Sequence, residues 1–219
     1  MQKLRLLVDS DGFRGTILFL IVLNAFAMGL EATPAANQRY ESLLEWIFLV
    51  SQAVFVAEIL ARWAVAPRGE FFRDSWNRFD FAVVALSLMP AIGDFALVAR
   101  VFRILRVLRI ASVSDVLFGR VLKQDSGLGA VMLALLLALL AAYVFALSGF
   151  HLFGDESSQW SSLADSVSTL VRAFTPAGFS AVLASDAAVI AFHAAFDLTL
   201  LCVLLNLGMS LRTSRSATS

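Results

Sequence analysis

Cysteine occurs once, at Cys202, and histidine twice, which excludes an internal disulfide and a cysteine-based zinc site. Charge is scarce too: 16% of residues are charged, against ~25% in an ordinary soluble domain, while 59% are hydrophobic. Lys+Arg and Asp+Glu number 17 each, so net charge names no partner, and nucleic acid is not expected. No polar stretch is long enough to form a second, soluble domain. Nothing clusters like a nucleophile, base or metal site, so neither an enzyme nor a cofactor or metal is expected.

What the chain has instead is apolar runs of about the ~20 residues that a helix needs to cross a bilayer. They extend over Phe13–Ala32, Leu43–Ala66, Trp76–Ile92, Phe95–Ala111, Leu128–Phe153 and Ala187–Leu211. The first could be mistaken for a secretory signal, but it exceeds the ~7–15 residue apolar core of one. Asp9 and Asp11 also sit in its leader. Between the fifth and sixth runs, Ser161–Ala184 has helical character with a Pro-Ala-Gly break at 176–178. It is too short to span and reads as a re-entrant helix and loop, allowed at membrane depth only when enclosed by protein or lining water.

Basic residues set the orientation. With the N-terminus inside, the cytoplasmic segments hold Lys3, Arg5 and Arg14, then Arg62, Arg68, Arg73 and Arg78, then Arg120 and Lys123, then Arg212 and Arg215. The external segments hold Glu31, Glu41, Glu45, Asp94, Asp155, Glu156, Asp165 and Asp186, with Arg39 as their one basic residue. Six spans with both termini cytoplasmic satisfy the positive-inside rule.

The fourth run carries Arg100, Arg103, Arg106 and Arg109, one every third residue, with apolar pairs between. In an α-helix a three-residue step leaves successive arginines ~60° apart, a slow spiral; in a 3₁₀ helix they line one face. A cationic helix lying on the membrane surface is the other reading, but that needs one wide polar face. Each charge inside a bilayer costs ~2.5–3.5 kcal/mol or more, so partners are needed. Glu58 lies deep in the second run and Asp80 opens the third, with Asn77 one turn earlier; Asn24 and Glu45 offer further polar stations. Phe55 is placed to be an apolar plug that each arginine passes. Three to four arginines crossing the field carry roughly 7–9 kcal/mol per 100 mV. A two-state switch from 1:99 to 99:1 needs only ~5.5 kcal/mol, so the ladder suffices for a voltage sensor.

Taken in order, MGLEAT at 28–33, FVAEILARW at 55–63, WNRFDF at 76–81, RVFRILRVLRI at 100–110, HLFGD at 151–155 and LLNLGMS at 204–210 resemble the bacterial single-repeat voltage-gated sodium channels. The resemblance covers nearly the whole chain. It implies an all-α membrane protein of six transmembrane helices, with a four-helix voltage sensor over 1–111, a sensor-to-pore linker over 112–126 and a pore unit over 127–219. It also implies a homotetramer, each chain joined by three identical subunits around one central pore, in the cell (inner) membrane, in contact with lipid bilayer and permeant inorganic ions.

The same resemblance places the selectivity filter at Thr175, Pro176, Ala177, Gly178, Phe179 and Ser180, where the family has Thr-Leu-Glu-Ser-Trp-Ser. Ala177 stands in place of the glutamate, and Phe179 replaces an indole donor. Pro176 removes a backbone N–H. Charged rings choose ion sign in many filters, so sodium selectivity does not carry over through Ala177. Arg172 would repel cations unless it pairs, and Asp197 is the expected partner, within or between subunits. Leu201, Leu205, Gly208 and Arg212 recur at helical spacing as the expected pore exit and gate. The function expected is a voltage-gated channel passing cations. The alternative is a voltage-gated channel of weak selectivity or anion permeability. A stand-alone proton-conducting sensor would not need the pore half, a transporter would show two similar halves with broken helices, and no TVGYG-like potassium filter is present.

Overall fold

A chain this apolar satisfies its backbone in a bilayer only within its own segments, and every regular element among the described residues is helical. The computed structural model describes residues 2–8, 10–67, 70–88, 101–108 and 127–216. Arg100, Arg109, Asp94 and the 112–126 linker fall outside them. The chain divides into two compact units, Met1–Val113 and Ser114–Ser219.

In the first unit, α1 (Gln2–Val8) leads into α2 (Asp11–Glu31) and α3 (Pro34–Val65). Ser10 caps α2 by accepting from the Phe13 N–H at 3.2 Å. Pro34 opens α3 at a position where a missing N–H costs nothing. Non-helical torsions at Tyr40 kink α3 and set a short lead-in apart from the long apolar stretch. A 3₁₀ turn (Phe71–Arg73) precedes α4 (Ser75–Ser87), whose cap is Asp74, accepting from the Trp76 N–H at 3.0 Å. Then α5 (101–105) tightens into a 3₁₀ turn (Arg106–Leu108). Ile17 and Ile21 of α2, Phe55 and Ile59 of α3, Phe71 and Val84 form the core of this unit. Phe19, Phe26, Trp46, Leu49 and Trp63 are exposed on its outside, the surface expected of helices facing lipid.

The second unit pairs two long helices, α6 (Gly127–Phe153) and α9 (Ala187–Ser216). Between them in sequence come a 3₁₀ turn (Ser158–Trp160), α7 (Leu163–Arg172) and α8 (Pro176–Leu183). Trp160 is buried among Phe153, Phe192 and His193, at ring-centroid distances of 5.5, 5.6 and 5.7 Å. Its indole lies flush on α6 at Gly149, where an added Cβ would fall 2.1 Å from the ring.

Four of the six apolar runs are helices long and apolar enough to cross a membrane: Asp11–Glu31, Pro34–Val65, Gly129–Phe153 and Ala187–Arg212. The third run is shorter than expected as far as it is described, ending at Ser87. The fourth is described only over 101–108.

The Gly149 contact is testable. Gly149→Ala drives a methyl into a rigid indole and is expected to cost about 1–3 kcal/mol, read as a lowered thermal-unfolding midpoint of the purified protein. Gly12→Ala, with nothing within 4 Å of the added carbon, should leave the midpoint unchanged.

Candidate functional site

Phe48, Gln52, Phe55, Glu58 and Arg62 recur at three- and four-residue steps along α3, so they share one face of that helix. Phe55 is fully buried, and Glu58 beside it is 2% exposed. Across from them α4 presents Asp80 near its start, also 2% exposed, and Ser87 at its end. Phe55 therefore separates a neutral polar pair, Gln52 and Ser87, on the Pro34 side of α3 from an acidic pair, Glu58 and Asp80, on the Val65 side.

Arg106 enters this arrangement from the 3₁₀ turn. Its side chain is buried, and its guanidinium carbon lies 5.1 Å from the centre of the Phe55 ring. Its Nη2 donates to Gln52 Oε1 and to Ser87 Oγ. Gln52 Nε2 in turn donates to Ser87 Oγ at 3.3 Å, while Ser87 Oγ donates to the Val84 carbonyl at 2.8 Å. A buried guanidinium is thus held by neutral acceptors and a ring quadrupole. One step back along the ladder, Arg103 lies over Phe48, 5.3 Å from the ring centre. Both arginines line a cleft of about 450 Å³ with Glu31, Glu41, Glu45 and Asn24. Asn24 is buried, and both of its amide atoms lack a hydrogen-bond partner among the described residues. Glu45 is exposed at the rim and Asn77 is half-buried.

The acids hold a cation that the sequence pattern counts among the cytoplasmic charges at the inner end of the second run, without a partner. Arg62 folds back along α3 so that Nη2 lies 2.7 Å from Glu58 Oε1 and Nη1 lies 3.5 Å from Asp80 Oδ2. The signal was legible, since a Glu four residues before an Arg on one helix is a favoured pair. Gln52 and Ser87 carried no such signal, because an uncharged polar residue in an apolar run has many uses.

In the second unit, Ser161–Ala184 departs from the expected helix and loop broken at 176–178. The chain breaks at 173–175 instead, and Pro176 starts α8. The reason is local. Thr175 caps the new helix, its Oγ1 accepting from the Gly178 N–H at 3.1 Å and donating to the Arg172 carbonyl at 2.7 Å. Pro176 takes the first helical position, where its fixed φ fits. Gly178 packs so closely on the Arg172 carbonyl that a Cβ there would sit 2.0 Å from the oxygen. Ala177, Phe179 and Ser180 are thus helical and exposed.

At the start of α7, Ser162 and Ser161 donate to Asp165 Oδ2 at 2.7 and 2.9 Å. These bonds, with help from the Arg172 charge, hold the Asp165 carboxyl below the usual carboxylate range against a small desolvation effect. Among the described residues, Arg172 and Asp197 form no ion pair within the chain, and both are exposed. Arg172 instead lines a cleft of about 670 Å³ with Glu156, Asp186 and His193. On α9, half-buried Leu200, Val203, Leu207 and Leu211 share one face; Leu201, Leu205, Gly208 and Arg212 lie about a third of a turn round and are exposed.

A model of the ion transport protein family matches residues 11–210. The voltage-dependent T-type calcium channel subunit alpha-1I of Rattus norvegicus is 28% identical over 169 residues, which are 76% of this chain and 8% of that protein. The sodium channel protein type 5 subunit alpha of Mus musculus is 36% identical over 86 residues, 39% of this chain and 4% of that one. The chain therefore spans only a small part of the length of these curated relatives. The solved structure of NaChBac in lipid nanodisc is 30% identical, with 96% of each chain covered and a TM-score of 0.48. Matched over most of its length by the family model, this chain belongs to the ion transport protein family.

Proposed function

We propose that the chain is one subunit of a homotetrameric voltage-gated cation channel, seated in the cell (inner) membrane with both termini cytoplasmic. One observation carries this reading: Arg106 is buried over Phe55 and donates to Gln52 and Ser87, polar side chains that a neighbouring ladder arginine could equally engage. Such a contact set fixes the register of the helix without fixing which arginine occupies it. Depolarisation then drives the ladder past Phe55 toward the Pro34 end of α3, and hyperpolarisation returns an arginine to Glu58 and Asp80. The 112–126 segment passes that displacement to α9. Its exposed Leu201, Leu205, Gly208 and Arg212 stripe forms the gate once four copies meet, since two long helices and a short re-entrant segment cannot enclose a conduit alone. The 173–175 turn and the first turn of α8 form the narrow part of the pore. Glu156 and Asp186 make its mouth negative, which favours cations. Arg172 opposes them unless Asp197 of a neighbouring subunit compensates it.

Reconstituted into a planar bilayer, the protein should conduct with a steep voltage dependence. Conductance with no voltage dependence would remove the sensor reading. Arg106→Gln deletes one of four ladder charges and should lower the limiting slope by about one-quarter.

Selectivity is read from reversal potentials in asymmetric sodium, calcium and chloride solutions. They should follow the cation gradients, and Ala177→Glu should increase sodium preference by restoring a carboxylate ring. Reversal at the chloride potential would instead favour Arg172 facing the pore. Asp197→Asn should weaken the tetramer or raise chloride permeability; a variant that assembles and conducts like the parent would exclude the intersubunit pair.

A further inference from the structure

Phe48 stands seven residues before Phe55 on α3, so the two rings share one face about 10.5 Å apart along the helix axis. Each lies under a guanidinium. The Arg103 guanidinium carbon is 5.3 Å from the centre of the Phe48 ring, and that of Arg106 is 5.1 Å from the centre of the Phe55 ring. Two successive rungs of the ladder are thus met at once by two rings of one helix. Phe48 is half-buried and lines the outer cleft, whose rim residues Glu41 and Glu45 are exposed. Water and salt screen a carboxylate at such a rim. The face of an aromatic ring attracts a cation without carrying a charge of its own.

We infer that Phe48 is a second aromatic station of the sensor, which holds the arginine next outward from the one over Phe55 and disfavours the innermost position of the ladder. This rests on the voltage-sensing reading of the ladder. Because the arginines recur every third residue, a one-step inward displacement replaces Arg103 and Arg106 by Arg100 and Arg103 over the same two rings. A further step sets Leu97 opposite Phe48, and leucine brings no charge to the ring. Every position of the ladder except the innermost therefore keeps a cation on Phe48, so the ring favours the outward, depolarised side of the equilibrium. Phe48 is then a positioning residue for sensor movement and carries no gating charge itself. The bland alternative is an apolar filler, which needs only bulk. The two readings part over a change that weakens the negative face of the ring and keeps its shape.

The experiment follows sensor movement, as gating charge or as fluorescence from a label on the ladder helix, in the full-length channel in membranes. Phe48→Leu should lower the ratio of outward to inward sensors about three-fold, the strength of a cation–π contact at an accessible site. The charge–voltage curve then moves toward depolarised potentials. Mono-, di- and trifluorinated phenylalanine at position 48 keep the shape of the side chain and drain the ring face stepwise. The curve should move in the same direction and in that order, with the trifluorinated ring close to the leucine variant. A curve that stays in place through the fluorinated series, or moves toward hyperpolarised potentials, overturns the inference whatever the leucine variant does. If Phe48→Leu fails to reach the membrane, the fluorinated series, which leaves the packing intact, carries the test alone. A parent with no voltage-driven movement would defeat the sensor reading itself, a result distinct from a moving parent indifferent to the Phe48 ring.

Discussion

Every charge placed in hydrocarbon must be neutralised where it sits, and that constraint organises the first unit. Arg106 lies over a phenyl ring and donates to two neutral acceptors, and Arg62 lies against two carboxylates. The difference between these stations has consequences. Neutral acceptors and a ring give a guanidinium a shallow, exchangeable site, whereas paired carboxylates give a deep one. Phe55 lies between the two, fully buried. In the proposed sensor, an arginine moving from one to the other crosses a short apolar barrier instead of the full thickness of the bilayer. Ile17, Ile21, Ile59 and Val84 pack around Phe55 and hold that ring in place.

The second unit answers a different constraint, the unsatisfied backbone groups at helix ends. A re-entrant segment places two such ends at one turn. Thr175 resolves both: its hydroxyl donates to a carbonyl at the end of α7 and accepts from an N–H at the start of α8. Pro176 contributes by having no N–H to satisfy. Trp160, clamped between α6 and the Phe192–His193 turn of α9, sets the height at which this segment sits. The break therefore comes from local capping chemistry and is held in place by aromatic packing.

How much of this was legible before any coordinates follows the same physics. The burial of Glu58, Asp80 and Arg106 was readable because a charge in an apolar run demands a partner and leaves few candidates. Asn24 was readable for the same reason, as a polar group in an apolar run that the structure buries beside the arginine cleft. Arg62 was counted only as a cytoplasmic charge because topology was read before pairing, and it sits three residues before the end of its helix. Gln52 and Ser87 were missed because neutral polar residues within spans have no unique purpose. Pro176 was taken for a break inside a helix because proline disfavours a helical residue before it; that rule places the end of α7 correctly and overlooks that the same proline starts α8.

In the proposed channel, ion sign at the pore has to be decided without a glutamate ring, and helix dipoles do not supply a substitute. The C-terminus of α7 presents roughly half a negative charge to the turn at 173–175, and the N-terminus of α8 presents roughly half a positive charge to the same turn. Opposed ends this close largely cancel, so the turn is nearly neutral apart from its side chains. Asp165 does not tip the balance, because its carboxylate is engaged by Ser161 and Ser162 at the far end of α7. What remains is the lining of the adjacent cleft, where Glu156 and Asp186 stand against Arg172. Two carboxylates to one guanidinium leaves a net negative field per chain, and the four-fold symmetry of the proposed tetramer would multiply the imbalance without changing its sign. Cation preference then rests on a vestibule set beside the narrow turn, and such a field is screened by salt over a Debye length of ~8–10 Å. A glutamate inside the constriction would be far less screened, so in this pore the ratio of cation to anion flow falls as ionic strength rises.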